Sequence, residues 1–131
     1  MKAKDQPPKP TQAELEILRI LWDRGEATVR EVHDVLALKG ETVYTTTLKT
    51  MQIMLDKGLL SRNEDARSHI YSATIREDEV QKSLIGNFLQ TAFGGSASKL
   101  VMQVLGNHKT SNEELQKIRQ FLDNIEKQGG V

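Results

Sequence analysis

The residues best placed for chemistry lie between Tyr44 and His69, and they are hydroxyls, amides and cations rather than a catalytic set. Thr45, Thr46 and Thr47 stand in a run, followed by Lys49 and Gln52. Three adjacent β-branched residues are poor helix formers. Yet Tyr44, Leu48, Met51 and Leu55 recur at i, i+4, i+7 and i+11, an apolar stripe that predicts a helix. Thr45, Thr46, Lys49, Gln52, Ile53 and Asp56 then fall on its other faces. Threonine hydroxyls in the first turns of a helix can donate to phosphate oxygens or base edges, and their methyl groups can meet thymine methyls. The helix N-terminus is itself a phosphate site. Lys49 follows one turn later on the same side, and Arg62 and Arg67 flank a polar stretch where cations would meet a nucleic-acid backbone.

No catalytic constellation accompanies these residues. The chain has no Cys, hence no disulfide, thiolate nucleophile or thiolate metal site. His33, His69 and His108 fall in different elements, and there is no nucleophile–base motif or phosphate-cradling glycine loop. Gly94-Gly95 and Gly129-Gly130 read as helix stops. His33 and Asp34 are adjacent on a helix and so do not face one metal site; His33 is expected on that helix's outer side. The expectation is a protein that is not an enzyme and takes no cofactor.

The elements that must position these side chains follow from capping signals and periodicity. Thr11-Gln-Ala-Glu14 is a capping box opening a first helix with Leu15, Leu18, Leu21 and Trp22 at helical spacing, stopped at Arg24-Gly25. Thr28-Val-Arg-Glu31 opens a second, with Val29, Val32, Val35 and Leu36 inward and an end at Lys39-Gly40; Glu26 to Thr28 is an extended crossing between them. The third helix is predicted from Glu41–Thr42 to Lys57, closed by Gly58. The period then changes to two. Leu59 to Arg62, a polar turn over Asn63 to Ser68, and His69 to Ala73 predict a β-hairpin. Thr74-Ile-Arg-Glu77 reads as a capping box for a long fourth helix ending at Gly94-Gly95. Ser96 caps a short helix from Lys99 to Leu105, stopped by Gly106, and Ser111-Asn-Glu-Glu114 opens a last one.

Three helices followed by a two-stranded hairpin is the order of a winged helix-turn-helix, whose third helix enters the DNA major groove while the hairpin reaches backbone or minor groove. The fold class expected is therefore mainly α: a winged helix-turn-helix domain over 11–74, then a three-helix dimerisation domain over 75–131. Residues 1–10 are expected to form a flexible basic arm. The last 57 residues bury too little surface for confident independent stability. Their apolar residues exceed what one amphipathic face needs. Leu84, Phe88, Leu89, Phe93, Leu100, Val101, Val104 and Leu105, with the seam Leu115, Ile118, Leu122 and Ile125, predict a homodimer that interleaves these helices.

The chain has 131 residues and a formal net charge of zero, which argues mildly against an indiscriminate nucleic-acid coat. The zero is a sum of unlike parts. Residues 11–38 carry six acids against three Arg, whereas residues 39–76 carry six Lys and Arg against four acids. Nothing approaches the roughly 18 consecutive apolar residues that a membrane span needs, and the polar start lacks the apolar run of a signal peptide. A cytoplasmic protein without a membrane partner is expected.

Several stretches together resemble the penicillinase-repressor family of bacterial transcriptional regulators, the BlaI/MecI/CopY type. They are Thr11 to Trp22 (TQAELEILRILW), Tyr44 to Leu60 (YTTTLKTMQIMLDKGLL), His69-Ile-Tyr71, and Phe93-Gly-Gly-Ser96 with Leu100-Val101. The resemblance implies a winged-helix domain, a helical dimerisation domain and repression through a dyad-symmetric double-stranded DNA operator. It implies DNA reading through Tyr44, Thr45, Thr46 and Lys49, with His69 in the wing, and an inactivating protease of a sensor system as a further partner. Two positions depart from the pattern. Copper-responsive relatives carry a Cys-x-Cys that this chain lacks, and the Asn-Phe bond cleaved in β-lactam-responsive relatives is matched here by Gln103-Val104. A winged-helix module that contacts proteins rather than DNA stays open as the alternative, since fold does not fix function.

Overall fold

A computed structural model describes residues 9–65 and 67–129. Most of the expected basic arm, including Lys2 and Lys4, lies outside the described residues. The element order is α1 (Gln12–Arg24), α2 (Val29–Ala37), α3 (Tyr44–Lys57), β1 (Leu60–Asn63), β2 (Ile70–Ala73), α4 (Glu77–Phe93), α5 (Ala97–Asn107) and α6 (Asn112–Lys127). This is a mainly helical chain with one antiparallel hairpin, in winged helix-turn-helix order. It divides into two compact units, the first ending at Gly86 and the second beginning at Asn87.

In the first unit α1 and α2 both start on complete capping boxes. The Thr11 hydroxyl accepts from the Glu14 N–H at 3.2 Å while the Glu14 carboxylate accepts from the Thr11 N–H at 2.9 Å. Thr28 and Glu31 repeat both bonds. The helix α3 closes on Gly58, whose φ of 84° is left-handed, where a side chain would be strained. The core joins Ile17, Leu18, Ile20 and Leu21 of α1 to Val29 and Val32 of α2, Met51 and Met54 of α3, and Leu59, Leu60 and Tyr71 of the hairpin. The inner face of α1 is thus carried by Ile17 and Ile20 as much as by the predicted leucines; Leu15 and Trp22 are only half-buried. On α3 the most buried positions are Thr47, Met51 and Met54, so the stripe is rotated from the predicted one, with Tyr44, Leu48 and Leu55 at its margins.

The hairpin pairs Leu60 with Ala73, Ser61 with Ser72, Arg62 with Tyr71 and Asn63 with Ile70. Ala27, in the extended crossing between α1 and α2, adds an isolated antiparallel bridge to Tyr71. The base of the wing is pinned from two sides. The Trp22 indole donates to the Ile75 carbonyl at 2.9 Å, and the Thr74 hydroxyl donates to the Gly58 carbonyl.

Several boundaries differ from expectation. The helix α2 ends at Ala37 with Leu38 as its C-cap, short of Lys39-Gly40. The helix α3 starts at Tyr44, not at Glu41–Thr42, because Val43 is held extended at its N-cap. His69 precedes β2 rather than belonging to it. The expected capping box at Thr74 does not form, since its hydroxyl is spent on Gly58; instead the Arg76 N–H donates to Glu79 at the start of α4.

In the second unit, α4 closes at Gly94 and Gly95, both with positive φ. Ser96 and Ser111 cap α5 and α6 through their hydroxyls. Gly106 does not stop α5: it lies within the helix, which runs one residue further to Asn107. Phe88 and Phe93 meet edge-on at 5.5 Å. None of the described residues of this unit is buried.

Candidate nucleic-acid interface

The helix α3 turns Thr47, Met51 and Met54 into the core, which leaves Thr45, Thr46, Lys49, Gln52, Ile53 and Asp56 exposed. Its N-cap residue Val43 makes no side-chain capping bond. The first-turn N–H groups therefore have no hydroxyl closing them off, unlike those of α1 and α2. Lys49 makes no ion pair among the described residues. The Thr45 hydroxyl, the Lys49 ammonium and the Gln52 amide thus share one solvent-facing side of a helix anchored by its opposite face, and the exposed Thr46 lies beside them, lining a pocket with Ala13, Glu16 and Ile17 of α1.

Tyr44 differs from the other expected reading residues. Its ring is half-buried and packed, with the Arg30 guanidinium 4.2 Å from its centroid and the His33 ring edge-on at 5.6 Å. His33 does not lie on the outer side of α2: it faces α3, with Nδ1 3.4 Å from the Thr47 hydroxyl oxygen. Arg30 was not singled out by motif or spacing. One signal could have found it: a cation in the first turn of α2 opposes the helix dipole and calls for another use.

The wing cations are unequal. Arg62 Nε donates to Glu64 at 2.9 Å, and its cross-strand partner is Tyr71. The Tyr71 hydroxyl and the Glu64 carboxylate both raise the Arg62 pKa above its ordinary value, and Arg62 in turn lowers that of Glu64. Arg62 is therefore engaged within the wing. Arg67 and His69 are exposed near the tip, where Asn63 accepts from the Asp65 N–H at 2.9 Å in a tight turn.

An ion pair between a buried carboxylate and an exposed lysine underlies the arrangement. Glu14 is 3% exposed and takes a hydrogen bond from Lys57 at 2.8 Å, tying the start of α1 to the end of α3. Burial pushes the Glu14 carboxyl up, but the bonds from Lys57 and the Thr11 N–H and the charge of Lys57 outweigh it. The net shift is downward.

Among the described residues no group of three or more His, Asp or Glu could hold a metal ion, and no helix is long and apolar enough to cross a membrane. The expected dimerisation residues fall into two classes. Phe88, Val101, Val104, Leu122 and Ile125 are exposed, whereas Leu84, Leu89, Phe93, Leu100, Leu105, Leu115 and Ile118 are half-buried.

The comparisons with known proteins agree with this order of elements. The penicillinase repressor family model matches residues 10–124. The chain is 26% identical to the penicillinase repressor of Staphylococcus aureus over 89% of its own length and 93% of that protein's. To the penicillinase repressor of Bacillus licheniformis it is 27% identical, over 88% and 91% respectively. To the transcriptional regulator BlaI of Mycobacterium tuberculosis it is 30% identical over 81% of this chain and 77% of that one. These relatives are transcriptional repressors and not enzymes. With a family match over most of its length and a winged helix-turn-helix order of elements, the chain belongs to the penicillinase repressor family.

Proposed function

We propose that this chain is a sequence-specific DNA-binding transcriptional repressor acting as a homodimer on a dyad-symmetric operator. In this reading α3 enters the major groove and the wing lies on the backbone. The observation that carries it is the exposed side of α3, where Thr45, Thr46, Lys49 and Gln52 offer donors beside an uncapped N-terminus. Dimerisation is supported by the second unit, in which no described residue is buried although it carries Phe88, Val101, Val104, Phe121, Leu122 and Ile125 on its surface. So much exposed apolar surface on so small a unit calls for a partner of like composition, which a second copy supplies. Residues 11–74 then form the reading domain and 75–131 the dimerisation domain. Such a repressor works in the bacterial cytoplasm. The Gln103–Val104 bond lies inside α5, so a sensor-linked protease would need this helix to open first.

The test is the salt dependence of binding to a duplex that the protein itself selects from a random-sequence pool. A DNA reader loses affinity with a log–log slope near −0.9 per phosphate neutralised. Thr46→Ala should cost ~1–3 kcal/mol of specific binding, and Lys49→Ala should lower the slope by about one per protomer. A flat salt response, or failure to select any duplex, would favour a protein-contact module instead.

A further inference from the structure

We propose that the turn between α2 and α3, residues 37–43, is a contact surface for a second copy of this chain, meeting the same turn of the partner about a two-fold axis at Gly40. The contact is separate from the one assigned to the second unit and joins one dimer to the next. It rests on that C-terminal dimer only for the size of the assembly.

Leu38 is 85% exposed, the most exposed large apolar side chain among the described residues, and Val43 is 63% exposed. Beside Leu38 the turn forms a shallow hollow lined by Ala37, Gly40, Glu41, Thr42 and Val43. A projecting apolar side chain next to a hollow in the same turn is a shape that a copy of itself fills, each Leu38 entering the other's hollow.

Nothing within the chain calls for glycine at position 40. The helix α2 has already ended at Ala37, with Leu38 as its C-cap. Gly40 is not among the glycines with positive φ, and a β-carbon there would meet nothing within 4 Å. Glycine costs conformational entropy on folding, and what it leaves is bare backbone that another chain can approach closely.

The charges suit the same arrangement. Lys39 and Glu41 stand on either side of Gly40, exposed, and neither is ion-paired among the described residues. Both also border the cleft towards α1, where Glu16 is the further charged residue. A two-fold contact sets residue i against j and j against i. With the axis at Gly40, Lys39 meets the partner's Glu41, this pair occurs twice, and Ala37 meets the partner's Val43. A parallel meeting would set like charges together and is disfavoured.

So short a segment falls short of the about 800 Å² per partner of a standard interface. The contact is therefore weak between free molecules and is felt when copies are held side by side. On the DNA-binding reading, repressors on neighbouring sites are in that position.

The chain has no Cys, so Gly40→Cys in the full-length protein introduces a single thiol, at the axis. Its disulfide-linked pairs should form roughly tenfold faster than those of Asp23→Cys, an exposed site on α1, each rate being divided by that thiol's reaction with a small disulfide. Lys39→Glu in this background should slow pairing roughly tenfold, and adding Glu41→Lys should restore it, because the double exchange returns opposite charges to each other. Leu38→Ser should slow pairing with an unchanged circular-dichroism spectrum. The linked protein should sediment as two dimers or more. Equal normalised rates at the two thiol positions overturn the proposal, and so does a Lys39→Glu loss that Glu41→Lys fails to rescue. A linked species no larger than the unoxidised dimer also overturns it. None of these measurements uses DNA. A chain that is monomeric before oxidation defeats the C-terminal dimer, while the thiol rates still decide this contact.

Discussion

The Arg30 guanidinium carbon lies 4.2 Å from the centroid of the Tyr44 ring, so the first turn of α2 grips the first residue of α3. Tyr44 is held between this cation and the edge of His33. An exposed cation–π contact is worth ~0.5–1 kcal/mol. Arg30→Ala should therefore lower stability by about that amount in urea denaturation. It should also weaken binding to the selected duplex and reduce the salt slope by about one per protomer if the same guanidinium meets a phosphate. A stability loss with an unchanged slope would assign Arg30 to holding Tyr44 alone.

The pair of Glu14 and Lys57 predicts a specific acid limb. The folded-state carboxyl lies below its ordinary value of 4.5. Its contribution is therefore complete above that value and is lost as pH falls through the folded value. Glu14→Gln should cost ~1–3 kcal/mol at pH 7, because the charge-assisted bond from Lys57 is lost while the Gln carbonyl can still accept from the Thr11 N–H. The difference between native and variant should shrink as pH is lowered below 4.5, which urea midpoints across pH 3 to 7 will measure. A pH-independent difference would show that the amide fails by packing alone.

On the proposed DNA-binding reading, Glu64 competes with DNA for Arg62. Its carboxylate takes the Arg62 guanidinium in the free wing, and both groups show the pKa shifts of a mutual bond. Glu64→Gln should release the cation and remove a negative charge from the tip. Affinity for the selected duplex should rise, and the salt slope should steepen by about one per protomer. Arg62→Ala in the Glu64→Gln background should cancel the gain; if the gain persists, it comes from charge removal alone.

The dimer prediction is sharpened by two contacts beyond the hairpin. Trp22 bonds the Ile75 carbonyl, and Val80 is buried, so a reading domain cut at Ala73 would lose part of its own support. A chain ending at Gly86 keeps both. It should sediment as a monomer and bind a half-site poorly. In the full chain Leu122→Asp, on an exposed apolar face of α6, should dissociate the dimer and cost far more operator affinity than any single reading residue. A stable dimer from residues 1–86 would contradict the assignment.

Much of this chain was legible in order, because the signals are local. The boxes Thr11–Glu14 and Thr28–Glu31 each close over four residues, and the change of period at Leu60 marks the hairpin without knowledge of distant contacts. The exposure of Thr45, Thr46 and Lys49 followed from the same periodicity. What the sequence could not decide is how each polar group is spent once several partners lie within reach. Thr74 looks like a cap and instead bonds Gly58; Glu14 is a cap and also the buried partner of Lys57; His33 turns inward to Thr47; and Arg62 is held by Glu64. Capping and amphipathic spacing depend on neighbours three or four residues away, so residue order determines them. The partner of Arg30, Glu14 or Thr74 depends on which surfaces the packed core brings together, and only the tertiary structure decides that.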